Sequence, residues 1–357
     1  MLGQIMPKFL AGLIIVAVSI ALLRTGLKRD QDPPEIHLPV PVNTRPFSLP
    51  LNNPSTTKVA AATHMEDEDI VVGVITPHGG RAYPWWVLVS YHVVNDSYGR
   101  LPVLVTLCEV CSGASAFIAT VEELEDDTTL TFKVCGFAKG TYEICDHQTL
   151  STWHPFRGVA GGGRLSGLKL ERLSTQVATW KDWKSNFPDS EVVVASRELL
   201  LREHGTDERT AFGHPYIPEY FFPTSNTNDL RLPLNAPVVG MPPQHGQGEI
   251  AIPLRDINLS PEPKIFELDG GQILVIPRQL RSALVFWLNG LTIEGWSFDE
   301  SSQHIRNGEL RWSLVGEPLS KQEPLERADF YIAEWYEWVS SYPESPLFGH
   351  KPDETNP

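Results

Sequence analysis

The sequence predicts an α+β protein rich in β-strands. We expect two pseudo-equivalent repeats of mainly antiparallel strands, each closed by a short helix that carries tryptophans. Three observations favour this class. The 357 residues include 30 prolines and 27 glycines, which is typical of many turns between short strands. Short apolar runs recur between these turns. Similar tryptophan-containing segments stand near the middle and near the end of the chain.

The strand that organises the first half runs from Val103 to Leu107 and leads directly into Cys108-Glu109-Val110-Cys111. We expect the residues 112–115 after it, which are all small, to form a turn. Two thiols separated by two residues can act as a reactive pair, because one attacks a disulfide and the other resolves the intermediate. This pair is the clearest reactive chemistry in the sequence.

A second pair of cysteines is predicted to lie in a hairpin. Cys135 and Cys145 are equidistant from Gly140, so a turn centred there places them opposite each other on antiparallel strands. Opposed residues have Cα atoms about 4.5–5.5 Å apart, a distance that a disulfide can bridge. The alternative is two buried thiols that act as small apolar side chains.

The short helix of the first half is predicted within residues 177–189, where Trp180, Trp183 and Phe187 share one face and Pro188 ends the helix. The same pattern returns at Trp335 and Trp338. Other segments repeat as well, which predicts an internal duplication: VVGV at 71–74 with VVGM at 238–241, AYPW at 82–85 with AIPL at 251–254, and VLVT at 103–106 with ILVI at 273–276.

The duplication sets the predicted domain boundaries. They are a signal peptide or membrane anchor at 1–30, a proline-rich linker at 31–65, a first repeat with the CxxC pair at 66–195, a connecting segment at 196–236, a degenerate second repeat at 237–350 and a disordered tail at 351–357. In the second repeat Arg278 and Arg281 stand where Cys108 and Cys111 would be, and His92 has no counterpart. The repeat is therefore predicted to form without thiols, which favours a functional role for the cysteines.

The N-terminal segment and the charge bear on partners and location. Residues 9–23 are apolar throughout, which suits the core of a signal peptide or a short uncleaved anchor that holds the protein on the membrane. We expect the globular part to be extracytoplasmic, although Arg24, Lys28 and Arg29 favour the opposite orientation. The formal net charge of −15 argues against nucleic acid, since phosphate binding needs a basic surface.

Together these motifs resemble the uncharacterised family DUF3179. The resemblance rests on VVGV, RAYP, HVVND, VLVTLCEVCSGASAF, FKVCG, DHQT, STW and FPDSEVV, and on DLRLP before VVGM. It covers residues 66–345. It implies an exported or membrane-anchored protein, and because some members are described as selenoproteins it implies redox chemistry. Here the pair lacks the proline that is typical of the family, Leu107 replaces a common Tyr, and Cys135 replaces a common Ser.

Three functions are compatible with the sequence. The first is thiol redox, with Cys108 as the attacking thiol and His92 as its base. The second is a copper or zinc site formed by Cys108, Cys111 and His92, with His147 or Asp146 as fourth ligand. The alternative is a non-catalytic binding or scaffold module in which the CxxC pair is a structural disulfide. The sequence names no substrate or protein partner.

Overall fold

The first long stretch of the chain that the structure describes begins at Leu49. The computed structural model describes residues 38–39, 49–76, 78–111, 113–124, 128–196, 223–257, 262–291 and 294–349. The predicted signal peptide or anchor at 1–30 and the predicted tail at 351–357 lie outside these residues, as does much of the connecting segment. Within them, no helix is both long enough and apolar enough to cross a membrane.

The first half of the described chain is built from fourteen short strands, a 3-10 turn and two helices. The strands are β1 (Leu38–Pro39), β2 (Leu51–Asn52), β3 (Thr56–Lys58), β4 (Ile70–Thr76), β5 (Gly79–Pro84), β6 (Val93–Tyr98), β7 (Leu101–Cys108), β8 (Gly113–Ile118), β9 (Phe132–Ala138), β10 (Thr141–Asp146), β11 (Thr152–Trp153), β12 (Ala160–Gly162), β13 (Arg172–Thr179) and β14 (Glu191–Val193). The 3-10 turn is Val59–Ala61, and the helices are α1 (Trp85–Tyr91) and α2 (Trp180–Asn186).

The second half of the described chain is also built from short strands and short helices. Its described strands are β15 (Pro237–Met241), β16 (Ile250–Pro253), β17 (Lys264–Leu268), β18 (Gly271–Arg278), β19 (Ser282–Trp287), β20 (Trp296–Asp299), β21 (His304–Asn307), β22 (Leu310–Trp312), β23 (Glu326–Arg327) and β24 (Tyr331–Glu334). Its helices are α3 (Leu254–Ile257) and α4 (Trp335–Ser341).

The largest sheet has nine strands in the order β2-β6-β7-β8-β13-β4-β5-β14-β3. Its central strands β4 and β7 are apolar and almost fully buried, which is why they read as continuous apolar runs rather than alternating ones. Among the described ladders only β2 with β6 and β14 with β5 are parallel. The predicted β-rich, mainly antiparallel fold is therefore confirmed.

Four smaller sheets complete the described architecture. Strands β1-β9-β10-β11-β12 form one, and the second half forms β16-β15-β24, β17-β18-β19-β23 and β20-β21-β22. The CxxC pair lies where the nine-stranded sheet meets the five-stranded sheet and the end of β24, because residues of all three contact it.

Each half packs the indole of a short helix directly onto a glycine of a neighbouring strand. In the first half, Trp183 of α2 covers Gly73 of β4, and the indole nitrogen donates to the hydroxyl of Ser190 at 2.9 Å. In the second half, Trp338 of α4 covers Gly240 of β15, and its indole nitrogen donates to Ser345 at 2.8 Å. Helices α2 and α4 thus occupy equivalent places in their sheets.

Three local expectations were wrong. Residues 177–179 belong to β13 because they pair with β4, so the helix starts only at Trp180. Strands β2 and β3 lie in the segment predicted as a linker, because they pair with β6 and β14 and extend the nine-stranded sheet. Residues 113–115, predicted as a turn, begin strand β8, since they pair with the end of β7.

Candidate functional site

The CxxC pair forms a disulfide at the turn of the β7–β8 hairpin. Cys108 is the last residue of β7 and pairs with Gly113, and its Cα lies 5.3 Å from that of Cys111. Both cysteines are buried, with 3 % of Cys108 and none of Cys111 exposed. A side chain at Gly113 would lie 2.9 Å from the ring of Phe156, so only glycine lets the hairpin pack this closely.

Each sulfur of this disulfide has a hydrogen-bond donor. The backbone N–H of Cys111 points at Sγ of Cys108 at 3.2 Å. The hydroxyl of Thr141 lies 3.2 Å from Sγ of Cys111. A disulfide sulfur carries no proton, so the hydroxyl is the donor in this contact. Both contacts would favour a negatively charged sulfur once the bond is broken.

His92 lies beside the hairpin turn, at the C-terminal end of helix α1. Its backbone has φ of 58°, in the left-handed region, and is held by hydrogen bonds to Leu88 at 2.7 Å and from Leu107 at 3.0 Å. The ring atom Nδ1 is 3.2 Å from the carbonyl oxygen of Leu107 and 3.5 Å from Oε2 of Glu109. Both neighbours are acceptors, so Nδ1 carries the ring proton in this arrangement. His92 is thus placed next to Glu109, one of the two residues between the cysteines.

The buried phenol of Tyr142 closes the same cluster. Its hydroxyl is 3.2 Å from the carbonyl oxygens of both His92 and Leu107. Burial raises the pKa of Tyr142 well above its usual value, and the negative charge of Glu109 adds to the effect. Sequence reasoning missed Glu109, Thr141 and Tyr142. Glu109 was visible between the cysteines, whereas the other two are near only because strand β10 packs against this hairpin.

The predicted fourth ligands of the metal site, His147 and Asp146, have other surroundings than the CxxC turn. His147 is exposed and lines a polar cleft of about 440 Å³ with Asn95 and Thr131. The carboxylate of Asp146 accepts hydrogen bonds from Thr149 and from the indole of Trp153 at 2.9 Å. Across the described ranges, no group of three or more His, Cys, Asp or Glu side chains is placed to hold a metal ion.

The second predicted disulfide is present, with a different register from the one expected. Cys135 and Cys145 are bonded, with Cα atoms 5.9 Å apart, and both are half-buried. The hairpin turn uses Lys139 and Gly140, which both have positive φ, and a bulge follows between the pairs Glu143–Gly136 and Ile144–Val134. Cys145 therefore faces Lys133, and the bridge crosses the bulge diagonally.

The second half of the protein contacts the CxxC turn through Glu334. Its backbone N–H donates to the carbonyl oxygen of Cys111 at 3.0 Å. Its buried carboxylate pairs with the guanidinium of Arg281 at 3.0 Å. Arg281 lies in the turn of the β18–β19 hairpin, at the position that the sequence comparison matched with Cys111. The turns of both hairpins therefore meet at Glu334.

A buried ionisable pair also joins the halves. Nε2 of His154 is 3.1 Å from Oε1 of Glu337 on helix α4. Burial raises the pKa of Glu337 to about 8 and lowers the pKa of His154 well below its usual value. Nδ1 of His154 accepts the N–H groups of Phe156 and Arg157, both at 3.3 Å, so Nε2 carries the proton and donates to Glu337. Both shifts favour the uncharged forms of the two side chains.

One of three comparisons with known proteins found a match, and it agrees with the motifs. No curated protein and no solved structure matches the chain. The family model described as "Protein of unknown function (DUF3179)" matches residues 49–345. This range includes strands β2 and β3 and the β7–β8 and β18–β19 hairpins. The chain therefore belongs to the DUF3179 family.

Proposed function

We propose that this protein is an extracytoplasmic, membrane-anchored thiol–disulfide redox protein whose reactive couple is Cys108–Cys111. The observation that carries the proposal is the environment of the two sulfurs. Each has a hydrogen-bond donor at 3.2 Å, and His92 and Glu109 lie at the same turn. A sulfur that accepts a hydrogen bond is a better thiolate, and the thiolate is the form that attacks and leaves in disulfide exchange.

The short ring of this disulfide also favours a redox role over a structural one. The bond joins residues three apart, whereas the Cys135–Cys145 bond joins residues ten apart. Loop-closure entropy then stabilises the fold by about 1.9 kcal/mol for the first and about 2.8 kcal/mol for the second. The protein loses less stability when this disulfide is reduced.

The second half supports the view that the hairpin does not need the disulfide. We infer that β18–β19 is the duplicated counterpart of β7–β8. In both hairpins the last residue of the first strand pairs with the first residue of the second, as Cys108–Gly113 and as Arg278–Ser282. The second hairpin closes without cysteines. A pair of thiols added to one copy of a hairpin that folds without them is more readily explained by chemistry than by stability.

The two disulfides support an oxidising compartment, since such bonds persist outside the cytoplasm and are reduced inside it. The apolar segment at residues 9–23 provides the membrane attachment in this proposal. Its orientation would place the residues from Leu49 onward outside the cytoplasm.

An equilibrium redox titration tests the proposal. The full-length protein is incubated in glutathione buffers of graded potential, free thiols are alkylated, and the modified cysteines are identified by mass spectrometry. We expect Cys108 and Cys111 to be alkylated at a less negative potential than Cys135 and Cys145, while circular dichroism shows the fold intact. The titration is run to equilibrium, because restricted access to the buried sulfurs slows reduction and reoxidation alike.

Two matched variants identify the attacking thiol. Because Cys108 is the more exposed of the two, we expect Cys111→Ser to accumulate a mixed disulfide with a small thiol at Cys108. Cys108→Ser should accumulate much less, since the remaining thiol is fully buried. Equal trapping by both variants would contradict this assignment.

The burial of the pair favours one second candidate, a binding or scaffold module in which Cys108–Cys111 is structural. With 3 % of Cys108 and none of Cys111 exposed, the folded protein gives a reagent little access to the pair. If Cys108 and Cys111 stay bonded in the titration until the whole protein unfolds, this candidate replaces the redox proposal.

A further inference from the structure

We propose that Thr141 is a catalytic residue of the Cys108–Cys111 couple, whose hydroxyl stabilises Cys111 as the leaving thiolate when the disulfide is opened. This inference rests on the proposed redox function. The geometry that carries it is the 3.2 Å contact between Oγ1 of Thr141 and Sγ of Cys111, from a strand that is remote in sequence from the CxxC turn.

Access decides which sulfur is attacked. Exchange requires an attacking thiolate, the attacked sulfur and the leaving sulfur, and the attacked sulfur must be the reachable one. Cys108 is 3 % exposed and Cys111 is not exposed at all. Attack therefore falls on Cys108, and Cys111 is the sulfur that leaves. The leaving sulfur is the one that Thr141 contacts.

The reaction balances with a dithiol as the partner. A partner thiolate attacks Sγ of Cys108 and forms a mixed disulfide. The Cys108–Cys111 bond breaks, and its electron pair remains on Cys111, which becomes the thiolate that accepts the hydrogen bond from Thr141. The second partner thiolate then attacks the partner's own sulfur in the mixed disulfide and releases Cys108 as a thiolate. Two electrons and two protons pass from the partner to the protein, and the partner is oxidised to a disulfide.

The surroundings make this hydrogen bond strong. Neither Thr141 nor Cys111 is exposed, so the hydroxyl and the sulfur are shielded from bulk solvent. In such a buried site a hydrogen bond to an anion is worth more than one at the surface. A lost hydrogen bond to a charged group corresponds to a change of about tenfold or more in an equilibrium or a rate.

Thr141 is also held in place. It is the first residue of β10 after the tight turn at Lys139 and Gly140, and it pairs with Ala138. The turn packs against helix α4, where a side chain at Gly140 would lie 3.2 Å from Cα of Glu337. The helix of the second half thus fixes the turn that positions the hydroxyl.

The test compares two threonines in the full-length protein. Thr141→Val removes the hydroxyl and keeps the shape, and Thr152→Val does the same at a half-buried threonine whose buried hydroxyl makes no hydrogen bond. Dithiothreitol is the probe, and the rate of Cys108–Cys111 cleavage is followed by alkylation and mass spectrometry. We expect Thr141→Val to slow cleavage about tenfold, the effect of one hydrogen bond to an anion, and Thr152→Val to leave the rate unchanged.

A second readout separates chemistry from structure. In the Cys108→Ser background, Cys111 is the sole thiol of the pair, and the pH dependence of its alkylation reports its ionisation. Adding Thr141→Val should move that pH profile upward by about one unit, which is the same tenfold effect. If Thr141→Val does not fold, the same measurements are made on Thr141→Ser and Thr141→Ala. These two variants differ only in the hydroxyl, so a difference between them reports its effect.

The outcomes distinguish the inference from the proposed function. A wild-type couple that dithiothreitol cannot open in the folded protein would overturn both. A couple that opens at the same rate in Thr141→Val, or in Thr141→Ala and Thr141→Ser, would overturn the role of Thr141 and leave the redox function standing.

Discussion

Replacement of Gly73 by alanine should break the packing between helix α2 and its sheet. A Cβ atom at this position would lie 1.8 Å from Cζ3 of Trp183. Carbon atoms in contact are normally about 3.5–4.0 Å apart, so the ring would have to retreat by about 2 Å. Trp183 has no exposed surface, and its indole nitrogen is bonded to Ser190, so no such space is open to it.

The expected cost follows from these distances. Overpacked cores lose about 1–3 kcal/mol, and the close approach here puts Gly73→Ala near the upper end, at about 3 kcal/mol. The restricted backbone of alanine in the unfolded chain returns only about 0.4–1 kcal/mol. Gly240→Ala should behave similarly in the second half, because its Cβ would lie 2.3 Å from the ring of Trp338.

Chemical denaturation of the purified variants measures this effect, with Gly248→Ala as the control. No atom lies within 4 Å of a Cβ at Gly248, so this variant should be neutral or slightly more stable. In a double-mutant cycle, Trp183→Phe shortens the ring and should reduce the cost of Gly73→Ala. If Gly73→Ala is as stable as Gly248→Ala, or if Trp183→Phe does not change its cost, the packing argument is refuted.

Two further predictions concern charge and cross-linking. Burial raises the pKa of Glu337 to about 8, so the folded protein keeps a proton that the unfolded chain loses above about pH 4.5, and stability should fall as pH rises between these values. The lowered pKa of His154 makes stability rise with pH, but only below about pH 6.5. Denaturation between about pH 7 and 8 should therefore show the decline in stability that Glu337 causes. The variant Glu337→Gln should flatten this decline. An unchanged slope in this variant would assign the decline elsewhere. Replacement of Cys135 and Cys145 by alanine should lower the free energy of unfolding by about 3 kcal/mol, measured by urea titration; no loss would contradict the loop-entropy account.

The pattern of apolar residues was enough to predict the fold class. Strands β4 and β7 were recognisable as apolar runs, and Trp180 and Trp183 marked a helix, because burial of these side chains is decided by the local sequence period. The start of that helix was misplaced, since pairing of residues 177–179 with β4 outweighs their place in the helical pattern. The early strands β2 and β3 were missed because single pairs of short strands leave almost no pattern.

The candidate site also depends partly on local sequence and partly on tertiary packing. The sequence alone predicted Cys108, Cys111 and His92 as candidate site residues, because cysteine spacing is a local property. Only the tertiary structure placed Thr141 on Cys111 and Glu334 on the CxxC turn. These contacts join residues that are far apart in the chain, and they depend on how β10 and β24 pack against one hairpin. The packing of distant segments depends on all the contacts of the core together. The spacing of residues within one segment therefore does not predict it.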